Sequence, residues 1–187
     1  MSGQRNDSIS DQSPYDARVV SNFIVRWHIE QSEPVTQLRL YKLLYFAHGW
    51  YLLDRQQPLV WNYFEAWEHG PVIKVVRDNF LQFKDKPIEK FASAFDLRRG
   101  ELIELPHHLA SMDETFVSGV IAAYQKYTAT QLSQITHEKG SPWDAIWKSR
   151  APVGRFGLRL RNDEILTDFQ SLVDKSESAY HRYPYFG

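Results

Sequence analysis

The chain has 187 residues, 43% apolar and 14% aromatic, and its 22 Lys and Arg against 23 Asp and Glu leave a formal net charge of −1. At this length roughly 70% of the unfolded surface is buried on folding, and so apolar a composition separates the chain from disordered sequences. The near cancellation of charge gives no bulk attraction for nucleic acid. The absence of cysteine removes disulfides, thiolate nucleophiles and cysteine-ligated zinc, and a reducing cytoplasmic setting is expected.

Residues 1–14 are rich in Ser, Asp, Gln and Asn and hold no apolar run of the signal-peptide kind. They read as a disordered tail, with one domain over 15–187. Val19, Val20, Phe23, Ile24 and Trp27 recur at helical spacing, which predicts a surface helix with Arg18, Asn22, Arg26 and Glu30 on its outer side. Glu33-Pro34 ends it, and Thr36 is placed to cap a second helix whose residues Leu38 to Leu53 are apolar on nearly every side. Such a helix belongs at the centre of the fold. It is shorter than the roughly 20 residues of a membrane span and carries Arg39, Lys42 and His48. Arg39 and Lys42, three apart, form its one polar stripe and are expected to escape along the same edge.

Asn62 to Trp67 predicts a strongly aromatic strand, broken at His69-Gly70, with Pro71 opening a helix that buries Val72, Val76, Phe80 and Phe83. Asp85-Lys86-Pro87 stops that helix, and Leu102 to Leu105 predicts a strand pairing with the earlier one in a small antiparallel sheet. Phe116, Val117, Val120, Ile121 and Tyr124 define a helix from near Asp113 that packs on the central one. Thr130 opens a short helix closed by Gly140, and Ser141 and Asp144 have capping-box spacing ahead of the apolar face Trp143, Ile146 and Trp147. Phe156 to Arg161 alternates at period two, a half-buried strand with a basic outer face. Asn162 then caps a last helix with Ile165, Leu166, Phe169, Leu172 and Val173 inside, before an aromatic tail from Tyr180. The fold class expected is α+β, mainly α: a compact helical domain around a buried central helix with a small antiparallel β-sheet.

Candidate chemistry is sparse. His48, His69 and His137 sit beside glycines or helix ends and could ligate a metal if the fold gathered them, the basis of a metal-dependent hydrolase reading. No two share the i, i+4 spacing of a helical ligand pair, and the alternative is that they satisfy backbone groups. No cofactor is expected. Neither a Gly-x-Ser-x-Gly elbow nor a phosphate-binding Gly-x-x-x-x-Gly-Lys loop occurs. Glu65 and Glu68 fall on opposite faces, and Glu65 is expected to hold a structural place with Lys42 as its partner. Arg155, Arg159 and Arg161, following Lys148 and Arg150, are the densest basic stretch. It fits a nucleic-acid groove or, with more weight, a charged strand edge that blocks aggregation.

Three blocks carry a resemblance: Lys42-Leu43-Leu44-Tyr45-Phe46-Ala47-His48-Gly49-Trp50-Tyr51, then Phe64-Glu65-Ala66-Trp67-Glu68-His69-Gly70-Pro71, then Thr136-His137 with Ser141-Pro142-Trp143. Together they resemble the Panacea antitoxin family, which takes in SocA-like and phage-associated proteins. The resemblance implies a mostly helical domain that neutralises a protein toxin encoded beside it, typically by direct binding, in some members as an adaptor handing the toxin to a protease. It assigns Lys42, His48, Trp50, Glu65, Trp67, His69, Gly70, Pro71, His137, Pro142 and Trp143 to a shared scaffold and not to an active site. Residues 153–187 form an extension beyond the resemblance. Arg155, Arg159 and Arg161 with Tyr183, Tyr185 and Phe186 are the expected partner-binding residues, since Arg and Tyr are enriched at interface hot spots. No membrane partner is expected, and nucleic acid is disfavoured.

Overall fold

The computed structural model describes residues 13–149 and 158–174. Helix α1 (Ala17–Glu30) starts at Asp16, whose carboxylate accepts the Arg18 amide at 2.8 Å. Helix α2 (Gln37–Arg55) is buried at every residue from Leu40 to Leu52. It is the axis of the molecule, as the all-round apolar pattern predicts, and α1, the helices Lys74–Phe80, Ser111–Tyr124, Ala129–Thr136 and Asn162–Asp174 and the strand Gly70–Val72 pack around it. Thr36 holds the N-cap position with extended backbone but makes no side-chain cap bond.

Strands β1 (Phe64–Trp67) and β2 (Gly70–Val72) form a hairpin turning at Glu68-His69, with Ala66 opposite Pro71 and Trp67 opposite Gly70. The expected helix start at Pro71 is therefore corrected. Pro71 lies in an edge strand, where its missing N–H leaves no ladder bond unmade, and helix α3 (Lys74–Phe80) begins three residues later, followed by a 3-10 turn over Leu81–Phe83. Strand β5 (Arg159–Leu160) pairs antiparallel with the other side of β1, giving the order β2-β1-β5. The predicted strand thus joins this sheet.

Strands β3 (Ser93–Asp96) and β4 (Glu101–Glu104) pair with each other in a separate hairpin and not with β1 as expected. Asn22 ties this hairpin to α1. Predicted to face outward, it is fully buried: its carbonyl oxygen accepts the Ala92 amide at 2.6 Å, and its amide nitrogen lies 3.1–3.3 Å from the carbonyls of Ala92, Leu105 and Pro106. One side chain pins both feet of the hairpin to α1.

Helix α4 (Ser111–Tyr124) packs on α2, and its first-turn Asp113 is buried, accepting the Tyr15 hydroxyl at 2.7 Å and the Tyr51 hydroxyl at 2.9 Å. Phe46 of α2 stacks on Tyr124, ring centroids 4.3 Å apart. Helix α5 (Ala129–Thr136) is capped by Thr128 in a reciprocal box with Gln131, two residues before the expected start. Helix α6 (Pro142–Ser149) uses the predicted pair in modified form: Ser141 Oγ accepts the Asp144 amide, and the Asp144 carboxylate accepts the Gly140 amide. Helix α7 (Asn162–Asp174) buries Ile165 and Phe169 against α2. Its Asn162 does not cap; the side chain turns to His48. Among the described residues no helix is long and apolar enough to cross a membrane.

Candidate functional site: the His-Gly-Pro turn and its buried lysine

Lys42 lies in the fully buried stretch of α2, so its amine has no route to solvent. It donates to the His69 carbonyl in the β1–β2 turn, and Ser133 Oγ of α5 donates to the same oxygen at 2.9 Å. The expected escape of Arg39 and Lys42 along one edge is corrected on both counts. Arg39 caps the C-terminal end of α4 through the carbonyls of Tyr124, Gln125 and Tyr127, where a cation meets the negative end of the helix dipole. Lys42 goes inward. Desolvation pulls its amine down to about 7.

The proposed Glu65–Lys42 pair does not form. The Glu65 carboxylate accepts the indole N–H of Trp67 at 3.0 Å, two residues along the same strand face. Gly70, at φ +104°, is needed beside the amine: a Cβ there would overlap Lys42 Nζ and sit 2.7 Å from Thr136 Oγ1. Glycine alone adopts this backbone freely and leaves the space.

His137 closes the α5 side. Its ring stacks on Trp143, centroids 3.7 Å apart and 11° from parallel, and Trp143 donates its indole N–H to the Trp67 carbonyl at 2.7 Å. Trp147 stacks behind at 5.3 Å. Pro142 opens α6 where a missing N–H costs nothing, and Ser141 Oγ ties back to the Thr136 carbonyl at 3.0 Å. Burial, together with the charges of Lys42 and His69, holds the His137 imidazole below the usual histidine range, while the His69 backbone pulls more weakly the other way. Its Nε2 is enclosed and meets no hydrogen-bond partner in good geometry among the described residues.

His48 is engaged elsewhere. The Val60 amide donates to its Nδ1 at 3.4 Å, which leaves Nε2 to donate to Asn162 Oδ1 at 3.0 Å. The ring is neutral, pushed down to about 4 by burial. Trp50, the remaining motif residue on α2, donates its indole N–H to the Tyr124 hydroxyl at 2.9 Å. Among the described residues no group of three or more His, Cys, Asp or Glu is placed to hold a metal ion. A cavity of about 880 Å³ lies at the C-terminal end of α2, lined by Tyr51, Asp54, Arg55, His108 and Asp113 and by none of the residues assigned above to the shared scaffold. The turn is thus a clamp in which α2, β1, β2, α5 and α6 are locked through buried donors and acceptors.

A family model described as "Antitoxin SocA-like, Panacea domain" matches residues 40–144. The chain belongs to this family of antitoxins. The Antitoxin SocA of Caulobacter vibrioides (strain NA1000 / CB15N) is 36% identical over 160 residues, covering 84% of each chain. No solved structure matches. The role of this chain is that of the antitoxin in a toxin–antitoxin pair. The matched Panacea segment begins inside α2 and ends at Asp144, so it contains the whole clamp, Lys42, His69-Gly70-Pro71, His137 and Trp143, while β5 and α7 follow it.

Of the basic stretch, Arg159 is exposed in β5 and lays its guanidinium over the Tyr63 ring, 4.4 Å from its centroid. Arg161 is paired with Asp163 at 2.6 Å, and its amide donates to Glu164, so it serves the start of α7. Arg155, Tyr183, Tyr185 and Phe186 lie outside the described residues. Sequence reasoning did not single out Trp61 and Tyr63, which precede β1 and are exposed.

Proposed function

We propose that this chain restrains a cognate protein toxin, encoded by a neighbouring reading frame in the cytoplasm, by binding it through surface complementarity and without bond chemistry. Membership in the Panacea antitoxin family carries the reading. The clamp supports it: Lys42, Trp67, Trp143 and His48 spend their donors on internal acceptors, which is the arrangement of a scaffold. Neutralisation requires a surface of roughly 1,200–2,000 Å² with a few aromatic or Arg anchors. The proposed anchors are Arg155, Arg159 and Arg161 with Tyr183, Tyr185 and Phe186.

The test is co-expression with the adjacent gene product. Rescue of growth together with a stoichiometric complex on purification supports blocking by direct binding. Rescue accompanied by loss of the toxin that stops when cellular proteases are inhibited means delivery for proteolysis, and growth arrest despite co-expression refutes the antitoxin reading for that pair. Because Phe169 and Ile165 are core residues, the contribution of the tail is tested by ending the chain after Asp174, which keeps α7 intact.

A further inference from the structure

From Val60 to Trp67 burial alternates strictly. Val60, Phe64 and Ala66 are buried, and Asn62 turns its carboxamide inward to accept the Ala17 amide at 2.7 Å. Trp61 is 56% exposed and Tyr63 61%, with Glu65 and Trp67 half-buried. Period two sets Glu65 and Trp67 on the outer side of β1, in line with Tyr63 just before it, and Trp61 lies exposed at the bend over 61–62. The stretch from Tyr63 to Trp67 carries a cation over the ring at each end: Arg159 over Tyr63 at 4.4 Å, and Arg77 over Trp67 at 4.8 Å. Such stacking fixes the guanidinium plane and leaves its N–H fork directed sideways. Among the described residues Arg159 forms no ion pair; Glu65, its cross-strand partner, gives its carboxylate to the Trp67 indole instead. Arg77 has one 3.5 Å approach to Asp78, a carboxylate that Lys74 also holds.

We propose that this outer face of β1 and β5 is the docking surface for an acidic segment of a polypeptide partner, which is the toxin if the reading above holds. Arg159 and Arg77 each take a carboxylate in a charge-assisted bond, and Trp61 packs against the apolar part of the same segment. Tyr63 and Trp67 are about 13 Å apart at the strand rise. An extended segment with two acids four residues apart spans them. Trp, Tyr and Arg are the three side chains most enriched at binding hot spots, and here they meet on one face. Glu65 in the centre of the stretch disfavours a run of phosphates, so the face suits a polypeptide and not a nucleic acid, in keeping with the net charge of −1.

The test uses the full chain and its variants Tyr63→Ala, Trp61→Ala and Arg159→Glu, all at exposed positions and each checked for an unchanged unfolding transition. Against the neighbour-encoded protein each substitution is expected to weaken binding about thirtyfold. Wild-type binding that none of the three changes overturns this surface and leaves the antitoxin reading standing. If the neighbour does not bind at all, that reading fails, and the surface is judged separately with a fluorescent peptide carrying two Glu four residues apart. Binding that weakens with salt and is lost in Arg159→Glu supports the surface. No binding, or preferential binding of a 20-mer single-stranded oligonucleotide that Arg159→Glu abolishes, overturns it.

Discussion

Gly49 of α2 lies flat against the ring of Phe169 in α7, so close that a Cβ at position 49 would overlap the ring edge. Both positions are buried, and Trp50 and Tyr45 meet the same ring edge-on at 5.0 and 5.9 Å, so the ring cannot withdraw without disturbing its neighbours. Gly49→Ala is expected to destabilise the protein by about 1–3 kcal/mol, the usual cost of overpacking. Phe169→Leu in the same background should recover part of the loss. Denaturant unfolding of the two single variants and the double measures this; additive effects would show that the residues do not share the space.

Asn22 holds the β3–β4 hairpin to α1 through one side chain. Asn22→Leu keeps the γ-branched shape but strips the Ala92 amide and the Leu105 and Pro106 carbonyls of their partner. Each unsatisfied buried group costs about 1–3 kcal/mol, so a total loss of about 3 kcal/mol is expected. Amide exchange at Ala92 should accelerate far more than exchange in α2. Uniform protection across both would mean that β3 and β4 hold their place without the carboxamide.

These cases mark what the chain reveals when read alone. The central helix was legible because burial on all sides leaves a continuous apolar run, and the β1 strand because its aromatic run is local. Asn22, Lys42 and Asp113 were not, since their burial depends on acceptors or hydroxyls supplied by other elements, and local periodicity reads a polar residue as exposed. Pro71 misled for a related reason: its missing N–H suits a helix start and an edge strand equally, and only pairing with Ala66 distinguishes them. The clamp residues were found by resemblance. Their mutual bonds, and the stacking of Arg159 on Tyr63, join segments far apart in sequence.

Gly70 and Gly140 both adopt positive φ, +104° and +91°, but only Gly70 faces the Lys42 amine; around Gly140 a Cβ would meet open space. Gly140→Ala should therefore cost only the backbone term, about 1–2 kcal/mol. Gly70→Ala adds displacement of the amine from the His69 carbonyl and should cost about 3 kcal/mol or more. Equal losses in parallel thermal melts would show that the space beside Lys42 can yield.

The buried amine itself should give a pH signature. Unfolded lysine titrates near 10.4, whereas Lys42 in the folded protein is drawn down to about 7 by burial. Between these values the unfolded chain binds the extra proton, so stability rises with pH from about 7 and levels off near 10. Below 7 both states are protonated and the full penalty of burying a charge remains. The His137 ring beside the amine is held below the usual histidine range, and His69 offers its backbone oxygen. Tyr15, Tyr41 and Tyr45, whose hydroxyls burial raises, act only at the alkaline end and are common to wild type and variant. Lys42→Met removes the titrating group while Ser133 still serves the His69 carbonyl. The stability of wild type minus that of Lys42→Met, from urea unfolding at pH 7.5, 8.5 and 9.5, should climb by up to about 1.4 kcal/mol per pH unit. A flat difference would mean that the amine keeps an ordinary pKa, and with it access to water that the clamp denies.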